Sequence, residues 1–287
     1  MGTSTANPAS VPASTPQREP RRRDAGRKRR VRRFVPPQHG AWAMLLVPWL
    51  AGTLIAGFRW LHLPLLLAWL TGYLASYYAL LAVKTRRLDR VRTQLLVYGL
   101  PTVLLGALVL ALRPALLWYA PAYALLLAVN ARYAFRRNDR ALLNDLASVV
   151  QSCLMVFVCA SVAGAAPSHA QVREGAIVAL GEVTVAFAAL TAYFVGTVLH
   201  VKSLIRERGD VRYRWASLAF HLLAFAAAVW VGVALAVVFA LLAVRAWLLS
   251  GRVLGRTPAW HQRLTPARIG VVEIVASVAL LGALIVT

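Results

Sequence analysis

The chain has 287 residues, with 32 Lys plus Arg against 10 Asp plus Glu and a formal net charge of +22. Yet 60% of its residues are apolar and only 15% are charged, where a soluble domain carries about 25%. That apolar content excludes a disordered basic chain, and the long uncharged runs exclude a histone-like or ribosomal protein. What remains is an all-α polytopic membrane protein that carries its positive charge in aqueous loops.

Residues 1–37 come first. Their second half holds Arg18, Arg21, Arg22, Arg23, Arg27, Lys28, Arg29, Arg30, Arg32 and Arg33, opposed only by Glu19 and Asp24. Such a segment cannot bury apolar area, so it reads as a disordered, basic cytoplasmic tail. No short apolar core with a small-residue cleavage site marks it as a signal peptide. Beside a membrane span the nearest polyanion is the lipid headgroup, and each basic residue near it contributes about 1 kcal/mol. The expected partners are therefore the bilayer and its anionic headgroups, not nucleic acid.

Residues 38–287 read as a transmembrane helical domain. About 20 apolar residues cross the hydrocarbon core. Spans are expected at 40–58, 63–83, 95–112, 115–131, 141–164, 176–200 and 269–286. The run 215–249 is too long for one of them. As a single helix it would reach roughly 52 Å across a core of about 30 Å. Two short spans meeting near Trp230 to Gly232 bring the total to about nine. Lys and Arg then alternate sides. Of 32 basic residues, 28 fall in the tail and in the loops after spans two, four, six and eight. Arg59, Arg113 and Arg173 fall on the other side, and Arg245 lies within a span. Cytoplasmic loops hold the excess of Lys and Arg, which puts the N-terminus inside and the C-terminus outside. The expected location is the bacterial cytoplasmic membrane, as a multi-pass protein.

Polar residues inside spans are costly, so each is a site candidate. Gln38 and His39 open the first span. In the fifth, Asn144, Ser148 and Gln151 share one helical face, with Asp145 and Ser152 at its edge. In the sixth and its extension, Tyr193, Gly196, His200, Ser203 and Glu207 form a stripe with Glu182 at its outer end, beside Lys202 and Arg206. Asp210 would join the stripe if that helix continued past Gly209. Glu273 lies in the ninth span. Together these predict one cavity open to the cytoplasm, rimmed by basic loops that attract a phosphate or pyrophosphate. Glu182 is expected to pair with Arg173 or to meet the outer headgroups. Arg245 is expected to snorkel to the inner surface. Trp42, Trp49, Trp60, Trp69, Trp118, Trp215 and Trp260 read as interfacial anchors. Tyr73, Tyr77 and Lys84 are roughly aligned on the second span, where Gly72 and Ser76 offer a packing face. Cys153 and Cys159 form neither a disulfide framework nor a CxxC site. Paired haem ligation by His200 and His221 is conceivable but has no second pair to support it. No P-loop, CxxCH, HExxH or nucleophile elbow is present, so neither a cofactor nor a metal is assigned.

The segment Pro37-Gln38-His39-Gly40-Ala41-Trp42-Ala43-Met44, followed by Pro48 and Gly52, resembles the start of the YwiC-like family of bacterial membrane proteins. The stretches Asn144-Asp145-Leu146 and Gly196 to Arg208 resemble that family too. The resemblance covers roughly residues 34–287 and brings no established activity with it. A more distant similarity is to the UbiA-type intramembrane prenyltransferases. It implies nine helices, an inside N-terminus and a cytoplasm-facing cavity beside the loops after helices two and six. In that superfamily Asp-rich loops hold Mg²⁺ and a prenyl diphosphate. Here those loops offer only Asp89 in one, and Glu207 and Asp210 among basic residues in the other. The expectation is a UbiA-like relative without the Asp-rich motifs, binding an isoprenoid or phosphorylated lipid. The alternatives are a small-molecule or ion transporter, or a non-catalytic membrane assembly factor.

Overall fold

The computed structural model describes residues 41–164, 174–207, 210–254 and 266–286, together with Gly2 and Phe34. The expected tail, and Gln38 and His39, lie outside the described residues. Hydrocarbon offers no partner to a backbone amide, so each apolar run closes its own hydrogen bonds as a helix. In chain order these are α1 (Ala41–Ala56), α2 (His62–Thr85), α3 (Arg92–Leu112), α4 (Ala120–Phe135), α5 (Leu142–Cys153), α6 (Met155–Ala163), α7 (Glu174–Val201), α8 (Val211–Val231), α9 (Val233–Leu254) and α10 (Pro266–Val286). No strand occurs among the described residues.

Helices α5 and α6 follow one another as a single apolar segment, Leu142–Ala163, broken only at Leu154. Six segments are long and apolar enough to cross a membrane, and Ala41–Ala56, Val233–Leu249 and Val272–Val286 are shorter apolar helices. Among the described residues this is a multi-pass helical bundle with the nine segments the hydropathy pattern predicts. The run 215–249 is two helices. They separate at Gly232, whose backbone is extended, and pack along each other.

Two layers compose the bundle. Helices α1 and α5–α10 share one core, in which Val47 and Ala51 of α1 meet Val149, Val156, Leu190, Leu235 and Leu280, all buried. Helix α2 packs mainly on α3 and also on α4, forming a flanking layer. Within the first layer α1 crosses α6 at very short range. A Cβ on Gly52 would lie 2.7 Å from the Val156 carbonyl oxygen and 2.8 Å from Cys159 Cβ. Only glycine permits that approach.

A second, smaller core joins the layers at one end: Trp49, Leu61, Leu65, Val109, Leu116, Val158 and Val162. Polar bonds lie alongside. His62 Nε2 is 3.0 Å from the Cys159 carbonyl, Trp49 donates to the His62 carbonyl at 3.2 Å, and the Tyr119 hydroxyl is 2.8 Å from Ser161 Oγ. At the opposite end the basic connections meet. Lys84, at the end of α2, pairs with Asp139, between α4 and α5. Lys202, just after α7, reaches the Arg140 carbonyl at 2.6 Å. The segments carrying Lys84, Arg132 to Arg140 and Lys202 to Arg206 thus gather at one end, as span counting requires.

The tryptophans divide. Trp60, Trp118 and Trp215 are exposed. Trp49, expected as an anchor, is buried in the second core, and Trp69 turns inward to donate to the Leu45 carbonyl at 3.2 Å. An indole N–H needs an acceptor when it leaves water, and both find a backbone carbonyl.

Candidate functional site

Between the two layers lies a cavity of about 1090 Å³. Ligand pockets for drug-sized molecules occupy about 300–1,000 Å³, so this is a large one. Its wall changes character along α2. Leu65 and Trp69 lie nearest the second core, Tyr73, Ser76 and Tyr77 follow, and Lys84 stands at the basic end. Nineteen residues separate Leu65 from Lys84, and at 1.5 Å per residue the wall is about 28 Å long. Helices α5 and α6 repeat the gradient in reverse, from Asn144 and Asp145 through Ser148 and Gln151 to Met155 and Val158. The spacing that aligned Asn144, Ser148 and Gln151 on one face is borne out, because all three line the cavity.

The middle of the cavity is hydrogen-bonded across helices. Asn130 of α4 donates to Gln151 Oε1 at 3.2 Å, and Ser148 donates to the Asn144 carbonyl at 3.0 Å. Asn144 donates to the Asp139 carbonyl at 2.8 Å, while its Oδ1 is buried without a partner. Deeper in, the Tyr123 hydroxyl is likewise buried and unpartnered. The cavity thus offers polar contact at two depths.

Charge concentrates at the basic end. Lys202 is almost fully buried, 2.9 Å from Asp145 Oδ2. Arg206 lies 3.8 Å from the same oxygen and stays largely exposed. Both come from the five-residue turn Lys202–Arg206, which is wound as a π-helix, with the Glu207 amide bonding back to the Lys202 carbonyl at 2.8 Å. A π-turn advances each side chain through a smaller angle than an α-helix. The α7 stripe does not continue through it. Asp210, which would have joined the stripe, instead caps α8 by accepting from the Arg212 amide at 2.8 Å. Glu207 is half-buried and does not line the cavity.

The expected single cavity is in fact two groups of residues. Asn144, Asp145, Lys202 and Arg206 belong to the cavity mouth. Tyr193, His200 and Glu273 belong to a second cluster between α7, α8, α9 and α10, away from the cavity lining. There the Glu273 carboxylate accepts from Arg245 at 2.6 Å, from Tyr193 at 2.9 Å and from Thr197 at 3.0 Å. Ser277 Oγ lies 3.0 Å from the Tyr193 hydroxyl. Arg245 therefore does not snorkel to the surface. It is held inside by a carboxylate on the neighbouring helix, the better solution where water is far. Glu182 is exposed, and Arg173 lies outside the described residues.

Sequence reasoning missed Asp139, the partner of Lys84, and the Arg245–Glu273 pair. A signal for the second existed: opposite charges in adjacent apolar spans rarely stand alone.

The Mg²⁺ that the UbiA-type resemblance implies does not suit these residues. Asp139 and Asp145 are each neutralised by a lysine, and Asp89 sits in the turn Leu88–Arg90, outside the cavity lining. No three His, Cys, Asp or Glu side chains are grouped to hold a metal among the described residues. A hard divalent cation requires several unengaged oxygens.

Residues 35–160 match the family model of the YwiC-like proteins, a stretch that spans α1 to α6 and hence most of the cavity wall. The chain is 34% identical over 223 residues to a Bacillus subtilis (strain 168) protein described as "Uncharacterized protein YwiC", covering 76% of this chain and 87% of that one. It is 33% identical over 187 residues to an uncharacterised protein of Haemophilus influenzae, covering 65% of this chain and 73% of that one. No solved structure matches the fold. With this extent of identity across most of both chains, the protein belongs to the YwiC-like family.

Proposed function

We propose that this YwiC-like protein resides in the bacterial cytoplasmic membrane, N-terminus inside and C-terminus outside, and binds an amphiphile from the cytoplasmic face. The ligand is an isoprenoid or phosphorylated lipid with its chain in the cavity and its acidic headgroup at the mouth. Residues 1–37 act as a separate basic tail resting on anionic headgroups of the same leaflet. One observation carries this reading: a cavity about as long as a bilayer leaf is deep or longer, apolar and aromatic at its closed end and cationic at the other. Lys84 and Lys202 are committed to Asp139 and Asp145. That leaves the guanidiniums of Arg140 and Arg206 at the mouth, and guanidinium is suited to bidentate contact with phosphate without a bridging metal.

Native mass spectrometry of the protein released from mild detergent tests this. The expected result is a co-purified amphiphile in the intact protein and its loss by about tenfold in the Arg140→Ala, Arg206→Ala double variant, since two charge-assisted contacts are removed. A wild-type protein that carries no lipid-like ligand, and takes up none from added prenyl phosphates, overturns the reading.

A further inference from the structure

The cluster among α7–α10 is independent of the cavity and has a chemistry of its own. Its charge balances, because Arg245 and Glu273 pair at 2.6 Å. Its hydrogen bonds do not. The Arg245 Nε and Nη2 atoms are buried with no partner, and so are both ring nitrogens of His200, a residue only 1% exposed. His221 faces it across α8, with ring centroids 6.1 Å apart. Two imidazoles joined by a direct N–H···N bond have centroids about 5 Å apart. These two are too far apart for that bond and close enough for one bridging atom.

Each ring presents a definite face. His221 Nδ1 lies 2.7 Å from the Ser217 carbonyl and donates to it, which leaves Nε2 as an acceptor. A Cβ at Gly196 would come within 3.1 Å of that Nε2, so glycine at this point of α7 keeps the nitrogen uncovered. The unmet groups are thus two guanidinium N–H donors, one imidazole acceptor, and a second imidazole with one donor and one acceptor. An occupant must donate and accept. It must also be neutral, because the ion pair is already balanced and a further buried charge is costly. A cation would have two imidazoles as ligands and a guanidinium for a neighbour. Water meets every requirement.

We propose that this cluster is a second ligand site whose ligand is water, and that the bridging waters make His200 a proton relay inside the α7–α10 bundle. His200 is suited to the role because both of its nitrogens are free. It takes a proton from one water, forming one N–H bond, and releases the proton on its other nitrogen to a second water, breaking one N–H bond. No electrons move and the ring ends neutral, in its other tautomer. The groups facing it are Tyr193 and Thr197 on α7, His221 on α8, Arg245 on α9, and Glu273 and Ser277 on α10. Glu273 is the carboxylate at which such a chain ends.

His62 is the internal control. It is fully buried, but both its nitrogens are held by backbone groups of Arg59 and Cys159. The full chain in lipid nanodiscs is exposed to hydroxyl radicals generated in place by X-rays, which label side chains beside bound water. His200 and His221 are expected to be oxidised at least about fivefold faster than His62. Rates equal to that of His62 overturn the site. Nitrogen-15 spectra of the ring test the relay separately. Exchange between tautomers averages the two His200 nitrogen shifts, whereas two distinct shifts, a single fixed tautomer, overturn it. Neither readout requires a substituted protein.

Discussion

Glu273 shows what a single carboxylate does inside an apolar bundle. It accepts from Arg245, Tyr193 and Thr197, which lie on two different helices. Removing one partner of a buried ion pair leaves the other charge stranded, at a cost of about 3–5 kcal/mol. Glu273→Ala is therefore expected to lower the thermal unfolding temperature of the purified protein sharply. The paired change Glu273→Leu with Arg245→Met should recover most of the loss, and equal destabilisation by both would show that the pair itself is not the cause. Gly52 makes the opposite point, that an absent side chain also matters. Gly52→Leu is expected to cost at least about 1–3 kcal/mol by forcing α1 off α6, which the same melting measurement reads. Asn144, Asp145, Lys202 and Arg206 were legible as mouth residues because helical spacing and the rarity of charge in spans both point to them. The placement of His200 and Glu273 in a separate cluster was not. It depends on which face of α7 meets α10, and a stripe on a helix does not say which neighbour it meets.

Helix boundaries were more legible than helix faces. Hydropathy and alternating loop charge give the nine segments, including the division of 215–249 at Gly232. The physical reason is the fixed thickness of the hydrocarbon layer, which sets a length that residues can be counted against. The π-turn Lys202–Arg206 left no such mark, since one extra residue in a turn changes neither composition nor length. Its effect is local: it helps to bring Lys202 and Arg206 together on Asp145. The topology gives a prediction at this scale. Gly232→Cys should react with a membrane-impermeant maleimide added outside intact cells, and Asn138→Cys only after permeabilisation. Cys153 and Cys159 are buried and should stay silent. Labelling of both sites from the same side would refute the nine-span arrangement.

Taken whole, the molecule is a firmly packed body with a lighter layer against it. The segment Leu142–Ala163 is largely buried within the protein, whereas α2 and α3 bury little and present apolar side chains outward. Segments with few buried contacts open first. Amide hydrogen exchange in detergent should therefore proceed sooner in α2 to α4 than in α5 to α7, and uniform exchange across the two would contradict the layering. The distribution of charge was legible at this scale from the outset, since loop arginines can be counted. The cavity was not, because it is a property of the gap between layers.

That gap has a floor. Trp49, Leu61, Val109, Leu116 and Val162 close it at the end opposite the arginines, and the bonds of His62 to Cys159 and of Tyr119 to Ser161 hold the layers together beside them. A blind alley has no exit but its entrance. Whatever enters between α2 and α5 must return to the leaflet it left, unless those bonds part. Vectorial passage would need the floor to open on every cycle, while capture, chemistry at the mouth, or handover to a partner on the same side would leave it shut throughout.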